Sequence, residues 1–148
     1  MRIFVGADYR GFEKKQKILS FLVKQQCDVD DLGTYDNSES DFNDPAIAVS
    51  KMVRKNRGTM GILICDSAHG MTMQSNRFKG IRAAHCYDVE SAKLAREHDD
   101  ANILCLSAHS TSEEEMEKII STFLETKFID LERRIRRINR LDEREDYA

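Results

Sequence analysis

The sequence predicts an α/β fold, a Rossmann-like three-layer α/β/α arrangement around a five-stranded parallel sheet. Short apolar segments alternate along the chain with longer amphipathic ones, which is typical of βαβ units. The clearest strand, residues 61–65, is an unbroken apolar run, as expected when helices cover both faces of a sheet. The 148 residues, 41% hydrophobic and 33% charged, suffice for one ordinary core. We therefore assign residues 1–148 to a single domain.

The first half of the chain contributes three strands and two helices. A strand at residues 2–7 is followed by a helix, and a weaker strand at 27–32 ends at a Gly-Thr turn. The apolar face of that first helix comprises Phe12, Ile18, Leu19 and Leu22, and its polar face comprises Glu13, Lys14, Lys15 and Gln16. The next helix, over residues 45–54, has Asp44 as its predicted N-cap and Pro45 at its first position.

The second half adds strands at residues 81–86 and 102–106, with helices before and after the second of them. One helix is predicted over residues 88–97. The other begins at Ser112, a good N-cap for the acidic first turn that follows. Its buried stripe comprises Met116, Ile119, Ile120, Phe123 and Leu124.

The C-terminal segment, residues 131–147, predicts an arginine-rich amphipathic helix. Its arginines are Arg133, Arg134, Arg136, Arg137, Arg140 and Arg144, and its apolar stripe comprises Leu131, Ile135, Ile138 and Leu141. Three interpretations are open: a solvated helix laid on the domain or on a partner, a basic arm for nucleic acid, or a helix that binds a phosphorylated small molecule. The net charge of −3 disfavours nucleic acid.

Composition also indicates the compartment. Four scattered cysteines do not form a disulfide framework, and no Cys-x-x-Cys pair suggests a zinc site. No apolar run approaches the length of a signal peptide or a membrane span. We therefore expect a cytoplasmic protein with no membrane partner.

Polar residues follow three of the strands, at the edge where open parallel sheets bind ligands. The segments are Asp8-Tyr9-Arg10-Gly11, Asp66-Ser67-Ala68-His69-Gly70 and Ser107-Ala108-His109. The segment His98-Asp99-Asp100 precedes the last strand and is expected to join the same crevice.

Cys65 is the most informative single residue. A thiol at the end of a buried strand, just before a helix start, faces backbone N–H groups that favour its thiolate, and this would make it a base or a nucleophile. The alternative is a small core hydrophobe, which is our interpretation of Cys27, Cys86 and Cys105. Similarly, His98 could be an ordinary surface histidine at a helix end.

Metal and nucleotide sites are disfavoured. Cys65 and His69 are four residues apart, as are Cys105 and His109, but nothing fixes a ligand geometry, so no metal is predicted. The loop at residues 66–70 has one glycine and matches neither the P-loop nor the dinucleotide fingerprint.

Four stretches across almost the whole chain carry a family resemblance. They are residues 3–8 with Gly11, Phe12 and Lys15; residues 31–35; residues 61–65 with Gly70, Met71, Asn76 and residues 79–84; and Ala92 with residues 94–102. In this order they resemble the ribose-5-phosphate isomerase B and galactose-6-phosphate isomerase family of aldose–ketose isomerases.

The resemblance implies a homodimer or a dimer of dimers that uses no metal or organic cofactor. It assigns Cys65 as the base that moves a proton between C1 and C2 of an open-chain sugar phosphate, and His98 as the residue that helps to open the ring. The loop at residues 66–70 would donate backbone N–H groups to the enediolate, in agreement with the chemistry of proton abstraction beside a carbonyl. Arg133 and Arg137, on a helix that extends to the partner subunit, would hold the phosphate. Because their alignment needs a one-residue gap, Arg136 could replace either.

The chain departs from the family pattern at several positions. Tyr9 replaces a histidine, Arg10 a small residue, Asp99 an asparagine and His109 an arginine, and residues 66–70 replace Gly-Thr-Gly-x-Gly. The residues expected to contact substrate or its anion are Asp8, Tyr9, Asp66, Ser67, Ala68, His69, Gly70, Asp99 and His109.

The leading hypothesis is an isomerase of ribose 5-phosphate and ribulose 5-phosphate, a reaction of the pentose phosphate pathway. The alternatives are an isomerase of another sugar phosphate, such as a hexose 6-phosphate, and a non-catalytic paralogue that only binds sugar phosphates. An RNA-binding protein would need a broad basic face and binding that weakens steeply with salt.

Overall fold

The computed structural model describes residues 1–143 and contains one parallel sheet. Its strands are β1 (Arg2–Ala7), β2 (Asp28–Asp31), β3 (Met60–Cys65), β4 (Ala83–His85) and β5 (Ile103–Ser107). They are ordered β2-β1-β3-β5-β4, and every neighbouring pair is parallel. The predicted α/β fold with five parallel strands is therefore confirmed.

Helices cover both faces of the sheet. They are α1 (Phe12–Lys24), α2 (Asn43–Lys55), α3 (His69–Ser75), α4 (Val89–Asp99), α5 (Glu113–Glu125) and α6 (Glu132–Asp142). Helices α1, α4 and α5 supply apolar side chains to one core cluster, and α2 and α3 supply them to the other. None of the helices in residues 1–143 combines the length and hydrophobicity needed to cross a membrane.

Several predicted element ends differ from the structure. Helix α2 begins at Asn43 with Phe42 at the N-cap, so Asp44 is not the cap. Pro45 lies in the first turn, where its missing N–H costs nothing. Strand β4 is shorter than predicted. Residues 144–148, which include Arg144 and part of the predicted last helix, lie outside the described residues.

The assignment of Lys15 to a polar face of the first helix is wrong. Its side chain is fully buried, and Nζ donates hydrogen bonds to Asp31 Oδ1 and to the Thr34 carbonyl, each at 2.6 Å. Nζ also lies 5.6 and 5.5 Å from the ring centroids of Phe12 and Tyr35. A lysine on the buried side of α1 thus ties that helix to the end of β2.

Candidate active site

Cys65 is the last residue of β3 and is almost entirely buried, with 4% of its surface exposed. The backbone N–H of Ala68 donates to its Sγ at 3.2 Å. Burial raises the pKa of the Cys65 thiol and nearby Asp8 adds to the rise, whereas the N–H groups of Ala68, Met71 and Ser67 lower it. The backbone N–H groups therefore face the sulfur, as predicted from the sequence. Their effect on the pKa of the thiol is smaller than that of burial, so the pKa is raised.

Asp8 follows β1 beside this thiol and is also buried. Its Oδ1 accepts hydrogen bonds from the backbone N–H of Arg10 at 3.1 Å and of Gly11 at 3.0 Å. Burial raises the pKa of the Asp8 carboxyl, the two N–H groups oppose the rise, and the charge of Asp66 adds to it. The result is a second buried acid next to Cys65 with a pKa above its ordinary value.

Tyr9 and Arg10 form the adjoining surface. The Arg10 guanidinium lies 5.3 Å from the Tyr9 ring centroid and donates from Nε to the Tyr9 hydroxyl at 3.1 Å. The Tyr9 backbone N–H donates to Ser40 Oγ at 3.2 Å. The aromatic side chain is thus held by a neighbouring cation.

The loops after β3 and β5 are tied together. The Asp66 carbonyl accepts hydrogen bonds from Ser107 Oγ at 2.7 Å and from the His109 N–H at 3.0 Å. The side chains of Asp66 and His109 are half exposed or more, with Oδ1 and Nδ1 4.0 Å apart. Lys14 Nζ donates to the carbonyls of Ala108 and Thr111 and so anchors the second loop to α1. We call Asp8, Cys65, Asp66, Ser67 and His109 the cysteine group.

His69 has a packing partner of its own. Its ring meets His85 of β4 edge-on, with centroids 5.5 Å apart. Burial lowers the pKa of His85, and the nearby His69 adds to the effect. Next to His69, Gly70 is required for packing, because a Cβ there would lie 2.6 Å from the Phe42 ring.

A second group of residues, most of them predicted site residues, lies elsewhere. His98, Asp99, Arg133, Arg134 and Arg137 line one cavity of about 230 Å³. We call this set the arginine group. It consists of residues from the C-terminal end of α4 and of arginines from α6.

The two groups lie at opposite edges of the sheet. Ile103 begins β5 and pairs with Gly61, near the start of β3, whereas Cys65 ends β3. Four residues of strand separate Gly61 from Cys65, or about 13 Å. A helix between two parallel strands runs back to the side of the sheet where the next strand begins. The C-terminal end of α4 therefore lies on the side formed by the N-terminal ends of the strands, which we call the amino edge. The expectation that His98, Asp99 and Asp100 join the crevice of Cys65 within one chain is therefore wrong.

Arg134 belongs to the arginine group but was not among the predicted site residues. Its Nη1 donates to the carbonyls of Glu97 at 3.1 Å and Ile129 at 3.3 Å, so it fastens α6 to the end of α4. The sequence did hold a signal for Arg134, because residues three apart on a helix, such as Arg134 and Arg137, are neighbours on its surface. Arg136 faces a different groove, lined by Asp130, Glu132 and Arg140 among others, and does not join Arg133 and Arg137.

The comparison with known families decides the assignment. The model of the ribose/galactose isomerase family matches residues 3–141. This chain belongs to the ribose/galactose isomerase family. The resemblance drawn from the sequence is thereby confirmed.

The relatives of this ribose/galactose isomerase have similar lengths. A probable ribose-5-phosphate isomerase B from Mycoplasma pneumoniae is 39% identical over 127 residues, which are 85% of this chain and 84% of that protein. Ribose-5-phosphate isomerase B from Escherichia coli is 32% identical over 127 residues, 86% of this chain and 85% of that protein.

Solved structures agree with the fold. A ribose 5-phosphate isomerase from Thermotoga maritima has a TM-score of 0.94 and 38% identity, covering 97% of this chain and 98% of that one. The ribose-5-phosphate isomerase B of Mycoplasma genitalium, solved with bound ribulose-5-phosphate, has a TM-score of 0.92 and 37% identity. The match covers 99% of this chain and 97% of that one.

One departure of this ribose/galactose isomerase from the family loop has a clear geometry. Ala68 replaces a glycine and adopts the left-handed conformation, with φ 70° and ψ −12°. This conformation costs a non-glycine residue roughly 1–2 kcal/mol. The loop nevertheless keeps the Ala68 N–H directed at Cys65 Sγ.

Proposed function

We propose that this chain is a cytoplasmic isomerase that interconverts ribose 5-phosphate and ribulose 5-phosphate through an enediolate. The observation that supports it most is the buried thiol of Cys65, facing the Ala68 N–H and adjacent to Asp8, in a chain whose relatives are named ribose-5-phosphate isomerase B. Moving a proton between two carbons needs a positioned base and donors for the oxyanion, and it involves no net redox change.

The cysteine group suits the proton transfers. The Cys65 thiolate takes the proton from C2 of the open-chain aldose, and the resulting thiol returns it to C1. Within the enediolate the proton on O2 passes to O1, so that O2 becomes the ketone oxygen and O1 the hydroxyl of ribulose 5-phosphate. Backbone N–H groups of the 66–70 loop stabilise the charge on the enediolate oxygens.

The arginine group suits ring opening and phosphate binding. His98 exchanges a proton with the ring oxygen or the anomeric hydroxyl. Arg133 and Arg137 are four residues apart on one face of α6, and two planar guanidinium groups can hold a phosphate dianion through paired hydrogen bonds. Among residues 1–143, neither arginine has an acidic partner within 4.0 Å, and both are exposed.

We infer that a complete site forms between two copies of the chain. The cysteine group of one copy carries the carboxylates Asp8 and Asp66, and the arginine group of the other carries the complementary positive charge. The apolar stripe of α6 also needs a cover, because Leu131, Ile135 and Leu141 are 36%, 42% and 60% exposed. We therefore propose a homodimer, alone or within a dimer of dimers, with the C-terminal segment 131–148, which contains α6, as the shared arm.

The function is tested by turnover of a panel of pentose and hexose phosphates, followed by NMR or a coupled assay. We expect interconversion of ribose 5-phosphate and ribulose 5-phosphate. Cys65→Ala should lower kcat by roughly 10²- to 10⁴-fold with the fold intact, because it removes the base. The matched control is Cys105→Ala, a buried thiol on the neighbouring strand, which should leave kcat almost unchanged.

Three results would contradict the proposal. Binding of sugar phosphates without turnover would indicate a non-catalytic paralogue, and a strong preference for a hexose phosphate would assign another substrate. Near wild-type turnover by a folded Cys65→Ala protein would show that Cys65 is not the base.

A further inference from the structure

A larger polar cavity lies at the amino edge of the sheet. It has a volume of about 680 Å³, within the range of small-molecule sites, and residues near the starts of β3 and β5 contribute to its wall. It shares no lining residue with the cysteine group or the arginine group. The cations that line it are Arg54, Arg57, Lys79, Arg82 and Arg96.

Two of these cations are already paired in the interior. The side chains of Arg82 and Arg96 are 18% and 9% exposed, and both bind the Asp100 carboxylate, at 2.9 and 2.8 Å. One carboxylate thus neutralises only one of the two charges. Both arginines also donate to backbone carbonyls, which hold them in place along the cavity wall.

The remaining three cations are available for a ligand. Within residues 1–143, Arg54, Arg57 and Lys79 have no carboxylate within 4.0 Å, although the Arg54 guanidinium lies 5.6 Å from the Phe78 ring centroid. The cavity is therefore strongly positive. Val53 and Met60 add apolar surface to the cavity wall, and an apolar part of a ligand could pack against it.

Besides Asp100, a second carboxylate lines this cavity. Asp142, the last residue of α6, accepts a hydrogen bond on Oδ1 from the Gly80 N–H at 2.7 Å. Gly80 has a φ of 81°, a conformation that glycine adopts readily. The arm that carries Arg133 and Arg137 is therefore attached at its end by a carboxylate in an anion-binding position.

We propose that this cavity binds a small molecule bearing phosphoryl groups, and that the bound anion displaces the Asp142 carboxylate from the Gly80 N–H. A phosphoryl group presents several acceptor oxygens and up to two negative charges, which suits three free cations and a backbone donor better than one carboxylate does. Displacement would release the end of α6 and weaken its hold on the substrate phosphate. The binding itself goes beyond the isomerase reaction and does not depend on it, whereas the effect on the substrate phosphate rests on the proposed function.

The test is calorimetric titration with pyrophosphate, using the full chain with Arg133→Ala and Arg137→Ala. These two substitutions remove the arginines proposed to bind the substrate phosphate, so failure of the proposed function would not affect the result. We expect one binding event per chain. Adding Arg57→Ala and Lys79→Ala should weaken it at least about tenfold, whereas adding Asp142→Asn should strengthen it severalfold by removing the competing charge.

A matched control and a ligand series complete the test. Arg136→Ala removes an exposed arginine of α6 that does not line the cavity and should leave the affinity unchanged. Ribose 5-phosphate and a nucleoside diphosphate, titrated in parallel, would distinguish sugar phosphates from nucleotides as the source of the phosphoryl group. Absence of binding, binding insensitive to Arg57→Ala and Lys79→Ala, or no gain from Asp142→Asn would overturn the proposal.

Discussion

Cys65 combines opposing influences on its acidity. A buried thiol is a poor source of thiolate at neutral pH, and the adjacent Asp8 makes ionisation harder still. The N–H groups of the following loop act in the other direction and lower the pKa of the thiol. This arrangement suits a base that must take up a proton and then return it within one catalytic cycle.

The raised pKa of Cys65 predicts a rising pH profile. The free enzyme needs the thiolate, so kcat/KM should increase up to tenfold per pH unit from about pH 7 to about pH 9, and should level off only above the pKa of the thiol. Asp8→Asn removes the neighbouring charge, lowers the pKa of Cys65 and should move the profile to lower pH. The exposed Asp36, substituted as Asp36→Asn, is the control. A plateau below about pH 8 in the wild type would contradict the assignment of Cys65 as a thiol with a raised pKa.

Residue chemistry was predictable where it depends on position in a strand. Cys65 and Asp8 follow buried apolar runs, so the sequence was sufficient to place them at the carboxyl edge of the sheet. The direction of the pKa shift of Cys65 could not be predicted from the sequence, because it depends on how much water the folded chain excludes from the thiol. The burial of Lys15 was likewise hidden, because its partners, Asp31 and the Thr34 carbonyl, come from another element.

At the scale of elements, Lys15 connects α1 to the end of β2. Breaking a buried ion pair leaves one charge without a partner, which typically costs 3–5 kcal/mol. Because Asp31 is 26% exposed, we expect Lys15→Ala to lower the free energy of unfolding by about 3 kcal/mol. Urea unfolding measures this as a lower midpoint at constant m value.

Two further variants separate the ion pair from the helix itself. Lys15→Met with Asp31→Asn removes both charges and should recover most of the lost stability. Lys17→Ala removes an exposed lysine of the same helix, paired with Glu113, and should shift the midpoint little. If Lys15→Ala were no more destabilising than Lys17→Ala, the buried pair would have no structural role.

At the scale of the whole molecule, the sheet separates the two groups of site residues. Parallel strands put every strand end at one edge and every returning helix end at the other, so Cys65 and His98 cannot meet within one chain. The alternation of elements was readable in the sequence, but the order of the strands was not. The consequence for His98 follows from topology alone, whereas the grouping of Arg134 with Arg137 required the packing of α6 on α4.

We propose that each active site takes the cysteine group from one chain and the arginine group from another. Complementation tests it directly: co-express Cys65→Ala chains with His98→Asn chains, each nearly inactive alone. Random mixing makes about half of the dimers mixed, and each mixed dimer has one intact site of two, so activity should return to about a quarter of wild type.

The decisive comparison pairs His98→Asn chains with chains carrying Arg133→Ala and Arg137→Ala. Both sets of substitutions lie in the arginine group, so every site of a mixed dimer lacks at least one of these residues. Activity should therefore stay at the level of the separate variants. Differential tags on the two chains establish that mixed dimers form. Restored activity in this second pair, or none in the Cys65→Ala and His98→Asn pair, would contradict a site divided between the two groups.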